Sequence, residues 1–287
     1  MTPPTLDDFL LVDGLQVPRF LYGTAWKEEA TQSLVERAIT QGFRGIDTAN
    51  QRKHYDEAAV GNGIVAAIDR GILARKDLFL QTKFTFQRGQ DHRLPYDPQS
   101  PVAAQVAQSL ASSLVHLQTD MIDSLVLHGP SQSVGLGAAD LEAWQAMEAA
   151  RDRGQVRWLG ISNVDAQQLQ QLCEQVRIRP HFVQNRCFAR TAWDKSIREY
   201  CTAQQIVYQG FSLLTANEPV RLHPELRQIA QRHRRTPQQI IFRFALEVGM
   251  MVLTGTSNEQ HMREDLAACG FQLIPEEVTL IEGLMAR

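Results

Sequence analysis

Asp47, Tyr55, Lys83 and His128 are residue types that together can move a proton at a carbonyl oxygen, and each follows or closes an apolar run. Asp47 lies in RGIDTA (44–49) with Tyr55 eight residues further on, Lys83 in LFLQTKF (78–84) and His128 in IDSLVLHG (122–129). A phenol with a pKa near 10 is a weak acid at neutral pH, and a lysine ammonium beside it favours the phenolate and lowers that pKa. A carboxylate can hold the lysine charged and oriented, while a neutral imidazole hydrogen-bonds a substrate oxygen and helps to place it. The set fits general acid catalysis at a carbonyl oxygen, with hydride arriving at the carbon. Singly, each residue has a plainer reading. An Asp before Thr-Ala-Asn caps a turn, a Lys at a strand end is solvated, a Tyr at a helix start packs, and a His after DSLVL is a satisfied core residue.

What distinguishes the readings is whether the chain brings the four together. Eight β-rich apolar runs recur: RFLYGT (19–24), RGIDTA, LFLQTKF, IDSLVLHG, VRWLGIS (156–162), HFVQNR (181–186), IVYQGFS (206–212) and MVLTGT (251–256). Segments of helical period separate them, such as ATQSLVERAITQG and AADLEAWQAMEAARDRG, several ended by the Gly expected just past a helix. Ahead of them Asp13-Gly14 joins two short apolar runs, which suits a type I′ hairpin. Eight β/α units after a hairpin predict a single α/β domain over residues 1–287, a (β/α)8 TIM barrel with an N-terminal β-hairpin. No G-x-G-x-x-G follows the first strand, so a Rossmann fold has no support. In a barrel the C-terminal strand ends share one mouth, which brings Asp47, Lys83 and His128 to adjacent strand ends. The stretch 84–101 is too long and polar for a routine connection and reads as a functional loop.

Composition narrows the partners. The chain is 44% hydrophobic and 21% charged with a net charge of −3, which offers no broad electrostatic footprint for nucleic acid. Cys173, Cys187, Cys201 and Cys269 form no C-x-x-C pair and no zinc-type spacing with His, and nowhere do 18 apolar residues run uninterrupted. The acidic, proline-broken start MTPPTLDDFLLVDG has no basic region leading an apolar core. The expectation is a cytoplasmic protein with no metal, no nucleic acid and no membrane partner, working as a monomer or weak homo-oligomer.

Over nearly its whole length the sequence resembles the aldo-keto reductase superfamily, through GTAW (23–26), GIDTA, YDEAAVG, QTKF and LVLHGP. The resemblance implies that Tyr55 is the proton donor, Lys83 and Asp47 tune it, and His128 orients the carbonyl of an aldehyde or ketone. GISNV (160–164) is similar to the family's G-[VI]-S-N-[FV], implying that Ser162 and Asn163 hold a nicotinamide carboxamide. FVQNRCF resembles V-N-Q-x-E, with Asn185 in place of the family's nicotinamide-contacting Gln. QGFSLL resembles A-Y-S-P-L, so Phe211 would stack on the ring and Ser212 and Leu214 would approach the phosphates. LTGTSNEQHMREDLAA is similar to the segment that grips the adenosine half, implying Thr256, Ser257, Asn258, His261, Glu264 and Asp265. Gly23, Thr24 and Asp47 complete the cofactor set. The family implies NADP(H) ahead of NAD(H), although Gly255 and His261 stand where many members carry a Lys and an Arg on the 2′-phosphate, which weakens a strong preference.

Three departures bear on the substrate. Tyr55 follows Asp47 by three residues more than in most members, so N-Q-R-K-H has to bulge outward before the tyrosine turns in. The 84–101 loop is longer, and the long C-terminal loop of many relatives has no counterpart. The mouth is therefore expected to be open, its wall formed by Trp26, His54, Phe84 and Phe86 around a small carbonyl substrate. Two other readings remain: a catalytically weak cofactor-binding regulatory module on the same fold, and a barrel aldolase using Lys83 as Schiff-base nucleophile. A metal hydrolase lacks a ligand cluster.

Overall fold

A computed structural model describes residues 9–285; the proline-broken first eight residues, part of the N-terminal reading above, lie outside them. All eight expected strands form, as β3 (Phe20–Gly23), β4 (Gly45–Asp47), β5 (Phe79–Phe84), β6 (Ile122–Leu127), β7 (Val156–Ser162), β8 (Phe182–Arg186), β9 (Val207–Phe211) and β10 (Met251–Thr254). They close into a parallel barrel in which β10 pairs with both β9 and β3. The hairpin is β1 (Phe9–Val12) and β2 (Leu15–Pro18), antiparallel with Val12 opposite Leu15. Asp13 and Gly14 both take positive φ, 50° and 77°, as a type I′ turn demands.

Helices alternate with the strands for local reasons. In α1 (Thr31–Gln41) the buried Leu34, Val35, Ala38 and Ile39 form one stripe, and Gly42 ends the helix at φ 115°. The helix α2 (Glu57–Asp69) starts at Asp56, whose side chain accepts from the Ala59 N–H. It lies close against α3 (Val102–His116): a Cβ on Gly61 would stand 2.1 Å from the His116 carbonyl oxygen, so only glycine permits this approach.

The barrel has two different cores. Outward strand residues such as Ile46, Leu80 and Leu125 pack under the helices. Inside, at the N-terminal end of the strands, Leu21, Phe79, Trp158, Phe182 and Met251 pack together and the hairpin's Val12 and Val17 cover them. The Trp158 indole N–H donates to Asp13 at 3.0 Å, tying plug to barrel. Two residues further along the same strands the inward positions become polar, at Gln81, Gln184 and Gln209.

Candidate active site

Lys83, 1% exposed, points into the barrel beneath the mouth. Its ammonium donates to Asp47 Oδ1 and Oδ2, both at 2.7 Å, and to the Thr48 carbonyl at 2.8 Å. All three of its N–H bonds are therefore spent, which argues against the Schiff-base reading, because this nitrogen is buried and paired. Burial pushes the Lys83 pKa down, and the Asp47 charge opposes that. Asp47 Oδ1 also accepts from Gln81 Nε2 at 2.7 Å and from Gln184 Nε2 at 3.0 Å. Both glutamines donate in turn to Gln209 Oε1, at 2.8 and 2.9 Å. Three strands thus hold the carboxylate from below, and Thr24, buried, holds its backbone by donating from N and Oγ1 to the Asp47 carbonyl.

The insertion before Tyr55 folds into one turn. The His54 and Tyr55 N–H groups both donate to the Gln51 carbonyl at 3.1 Å, and Asn50 Nδ2 reaches the Ser109 carbonyl at 2.9 Å. The chain comes back with the Tyr55 ring 5.4 Å from Lys83 Nζ and edge-on to the His128 ring at 6.2 Å. Two residues on, buried Glu57 accepts from Thr82 at 2.5 Å and from Ser113 at 3.0 Å, which joins the start of α2 to the strand carrying Lys83. The structure corrects one expectation. Burial, and after it the Asp47 charge, raise the Tyr55 pKa instead of lowering it.

His128 Nδ1 and the Thr85 hydroxyl are hydrogen-bonded at 2.7 Å. With the hydroxyl as donor, the ring proton lies on Nε2, available to a ligand oxygen. Burial, helped by the Lys83 charge, pushes its pKa down to about 3, so the ring is neutral at any working pH.

Asp47, Tyr55 and His128 open into a cavity of about 370 Å³ together with Gly23, Trp26, Ser162, Asn163, Gln184, Phe211 and Ser212. Ser212, Leu253, Thr254 and Gly255 are shared with a second cavity of about 480 Å³ that Leu214, Thr256, His261, Glu264 and Asp265 also line. The two cavities meet at those four residues and form one trough. Asn163 spends both amide N–H bonds inside the protein, on the His128 carbonyl and Ser162 Oγ, as Gln184 does on Asp47 and Gln209. Each keeps its amide oxygen as an acceptor, the group a carboxamide NH2 needs. Trp26, Asn163 and Ser212 hold left-handed backbone at φ 60°, 55° and 56°, an uncommon conformation for non-glycine residues that gathers here on one cavity. Burial raises the Asp265 carboxyl to about 7, against the hydrogen bond from Thr254 at 2.7 Å.

Several expected residues fall elsewhere. Asn185 is not in the trough: it bonds the backbone of Val164 through both ends of its amide, at 3.1 and 2.8 Å, and Gln184 takes the inward place. Phe84 is 1% exposed and packs behind the strand against Phe86 and Tyr96, because Lys83 takes the inward side. Phe86 itself lines a smaller cavity beside His128. Asn258 caps the helix Glu259–Leu266 by accepting from the His261 N–H, and Ser257 is exposed; neither lines the trough. Trp26, 67% exposed, lies over the His54 ring at 3.8 Å on the rim.

Sequence reasoning missed Gln81, Gln184, Gln209 and Thr85, although counting every second residue from Lys83 would have put Gln81 inside. Lys27 was missed as well. Its ammonium donates to the Gly255 carbonyl and stands 3.5 Å from where a Cβ of residue 255 would be, so a cation from another loop occupies that corner.

The sequence model of the aldo/keto reductase family matches residues 20–286. Prostaglandin F synthase 1 of Bos taurus is 27% identical over 96% of this chain and 90% of its own length. The uncharacterized oxidoreductase YtbE of Bacillus subtilis is 28% identical over 96% of this chain and 91% of its own. An aldo-keto reductase of Bombyx mori, solved in complex with NADP, matches with a TM-score of 0.81 at 28% identity, covering 95% of this chain and 90% of that one.

Proposed function

The chain belongs to the aldo/keto reductase family and is an oxidoreductase acting on carbonyls, and from that premise we propose that it reduces an aldehyde or ketone with NADP(H), Tyr55 serving as general acid. The observation that carries the reading is the Asp47–Lys83 pair, seated under Tyr55 and His128 at the head of a trough with carboxamide acceptors. The nicotinamide, when bound, supplies the hydride. Asn163 Oδ1 and Gln184 Oε1 would take its carboxamide, Phe211 would support the ring, and Ser212, Leu214, Thr256 and His261 would hold the rest. Lys27 places a positive charge beside Gly255, where a cofactor phosphate could use it, and the Bombyx mori relative was solved with NADP.

The protein's own part is positional and protonic. His128 Nε2–H donates to the carbonyl oxygen and fixes the reacting face. Tyr55 keeps its proton until charge develops on that oxygen, since its raised pKa holds the hydroxyl protonated throughout the working range. The proton then moves from Tyr55 Oη to the substrate oxygen. Lys83, held charged by Asp47, stabilises the phenolate left behind, and the same groups run alcohol oxidation in reverse.

Tyr55→Phe tests this. Loss of a general acid lowers rate by about 10²- to 10⁴-fold, so kcat for an aromatic aldehyde with NADPH should fall by that order while fluorescence titration still shows NADPH binding. Unchanged turnover removes Tyr55 from the role. NADPH binding without reduction of any aldehyde or ketone by the wild type supports the regulatory-module reading instead.

A further inference from the structure

We infer that the carbonyl substrate carries an anionic oxygen group, a carboxylate or a phosphate, and that Arg88 binds it; this rests on the reductase reading above. Beside His128 lies a cavity of about 230 Å³ that shares His128 and Asn163 with the cofactor trough and is otherwise lined by Gln51, Phe86, Arg88 and Pro130 among others. A substrate whose carbonyl oxygen sits between Tyr55 and His128 has this cavity open to its substituents.

The cavity's donors and acceptors are mostly taken. Gln51 gives Nε2 to the Gly89 carbonyl at 2.6 Å, and its Oε1 meets His54 Nδ1 at 2.8 Å. Asn163 has both N–H bonds occupied, and His128 is neutral. Arg88 is the one ionised group among the described lining residues. Its guanidinium is tethered by a hydrogen bond to the Pro130 carbonyl, and no carboxylate of the described residues pairs with it. A guanidinium carries five N–H donors, so one tether leaves a fork for the bidentate geometry that carboxylates and phosphates accept.

The turn holding Arg88 is also fixed in advance. Residues Gln87–Gly89 form one turn of 3-10 helix, and Gln90 Nε2 reaches the Asn50 carbonyl at 2.8 Å. A Cβ on Gly89 would come 2.7 Å from Thr85 Cγ2, so the turn lies directly against the residue that bonds His128. The other rim cations lie outside this cavity. Arg93 is paired with Asp91 at 2.5 Å, and Arg52 and Lys53 share a larger cavity of about 630 Å³ with Glu28, Glu29 and Asp56. The insertion at 50–54 and the 84–101 loop, the two features that lengthen this chain around the mouth, thus brace each other, and the loop delivers the Arg88 guanidinium to the cavity beside His128.

The test uses the full chain with NADPH and two matched pairs, benzaldehyde with 4-carboxybenzaldehyde and glyceraldehyde with its 3-phosphate. Wild type should favour the anionic member of at least one pair by about tenfold or more in kcat/KM. Arg88→Met should lower that ratio at least about tenfold, chiefly through KM, Arg88→Lys should recover part of it, and Arg93→Met should keep it. NADPH quenching of intrinsic fluorescence reports folding of every variant. Ratios near one in the wild type, or a preference that survives Arg88→Met, overturn the inference alone. Failure to reduce any of the four substrates overturns the reductase reading, and the inference with it.

Discussion

The two ends of the barrel interior are built from the same strands two residues apart, and they answer to different demands. At the hairpin end Phe79, Phe182, Trp158 and Met251 fill the bore as interlocking apolar side chains. At the mouth Gln81, Gln184, Gln209, Asp47 and Lys83 fill it as a hydrogen-bonded lattice. The first layer stabilises by burying apolar area. The second withdraws a charged pair from water at a desolvation cost that its Coulomb attraction offsets only with good geometry and further hydrogen bonds, so its value is placement. Stability and chemistry are therefore separated along the barrel axis, as is general for this architecture.

That separation can be broken experimentally. Lys83→Met and Phe182→Ala should each cost about 3–5 kcal/mol in urea unfolding, one by stranding a buried carboxylate and the other by opening a cavity. They should diverge in activity: Lys83→Met loses carbonyl reduction, while Phe182→Ala, assayed where it is folded, keeps kcat near wild type. A large kcat loss in Phe182→Ala would mean that the hairpin end is not merely structural.

The pH dependence should sort the same way. His128 titrates near 3 in the folded protein and near 6.5 unfolded, so between those values the unfolded chain binds the extra proton. Its contribution is complete above about pH 6.5 and is lost as pH falls toward 3, with a slope approaching about 1.4 kcal/mol per unit. His128→Asn should flatten that part of the unfolding profile, whereas Phe182→Ala should leave the slope as it is. An unchanged slope in His128→Asn would show that the ring is not buried neutral.

A smaller effect is expected from Gln209→Leu. It removes the acceptor shared by Gln81 and Gln184 and should cost about 1–3 kcal/mol. Asp47 keeps its bonds from Lys83, so kcat should fall only severalfold. A loss as large as that of Lys83→Met would make the glutamine lattice, not the ion pair, the main support of Asp47.

How much of this was readable without coordinates varies residue by residue. All eight strands, the hairpin turn and the strand-end placement of Asp47, Lys83 and His128 follow from local pattern. Alternation from Lys83 sends Phe84 outward, against the expected pocket wall, and on β8 it is Gln184, not the expected Asn185, that faces in. In both cases a shift of one residue exchanges the two faces of a strand. The return of Tyr55 after its insertion, and the bracing of 50–54 by the 84–101 loop, depend on bonds such as Gln51 to Gly89 and Gln90 to Asn50 that no local rule anticipates.

By itself the sequence determined the repeating β/α order, the turn at Asp13-Gly14 and the residue types that reach the mouth, because strand alternation, helical period and turn chemistry act within a few residues. Only the tertiary structure decided that Lys83 would be spent on Asp47 rather than on Tyr55, and that Lys27 would stand over Gly255. Closure of the barrel puts Gln184 beside Asp47 across 137 residues and Gln81 beside Gln209 across 128. Which donor meets which acceptor is set by the shared layer inside the barrel, and that layer exists only once the eight strands have closed.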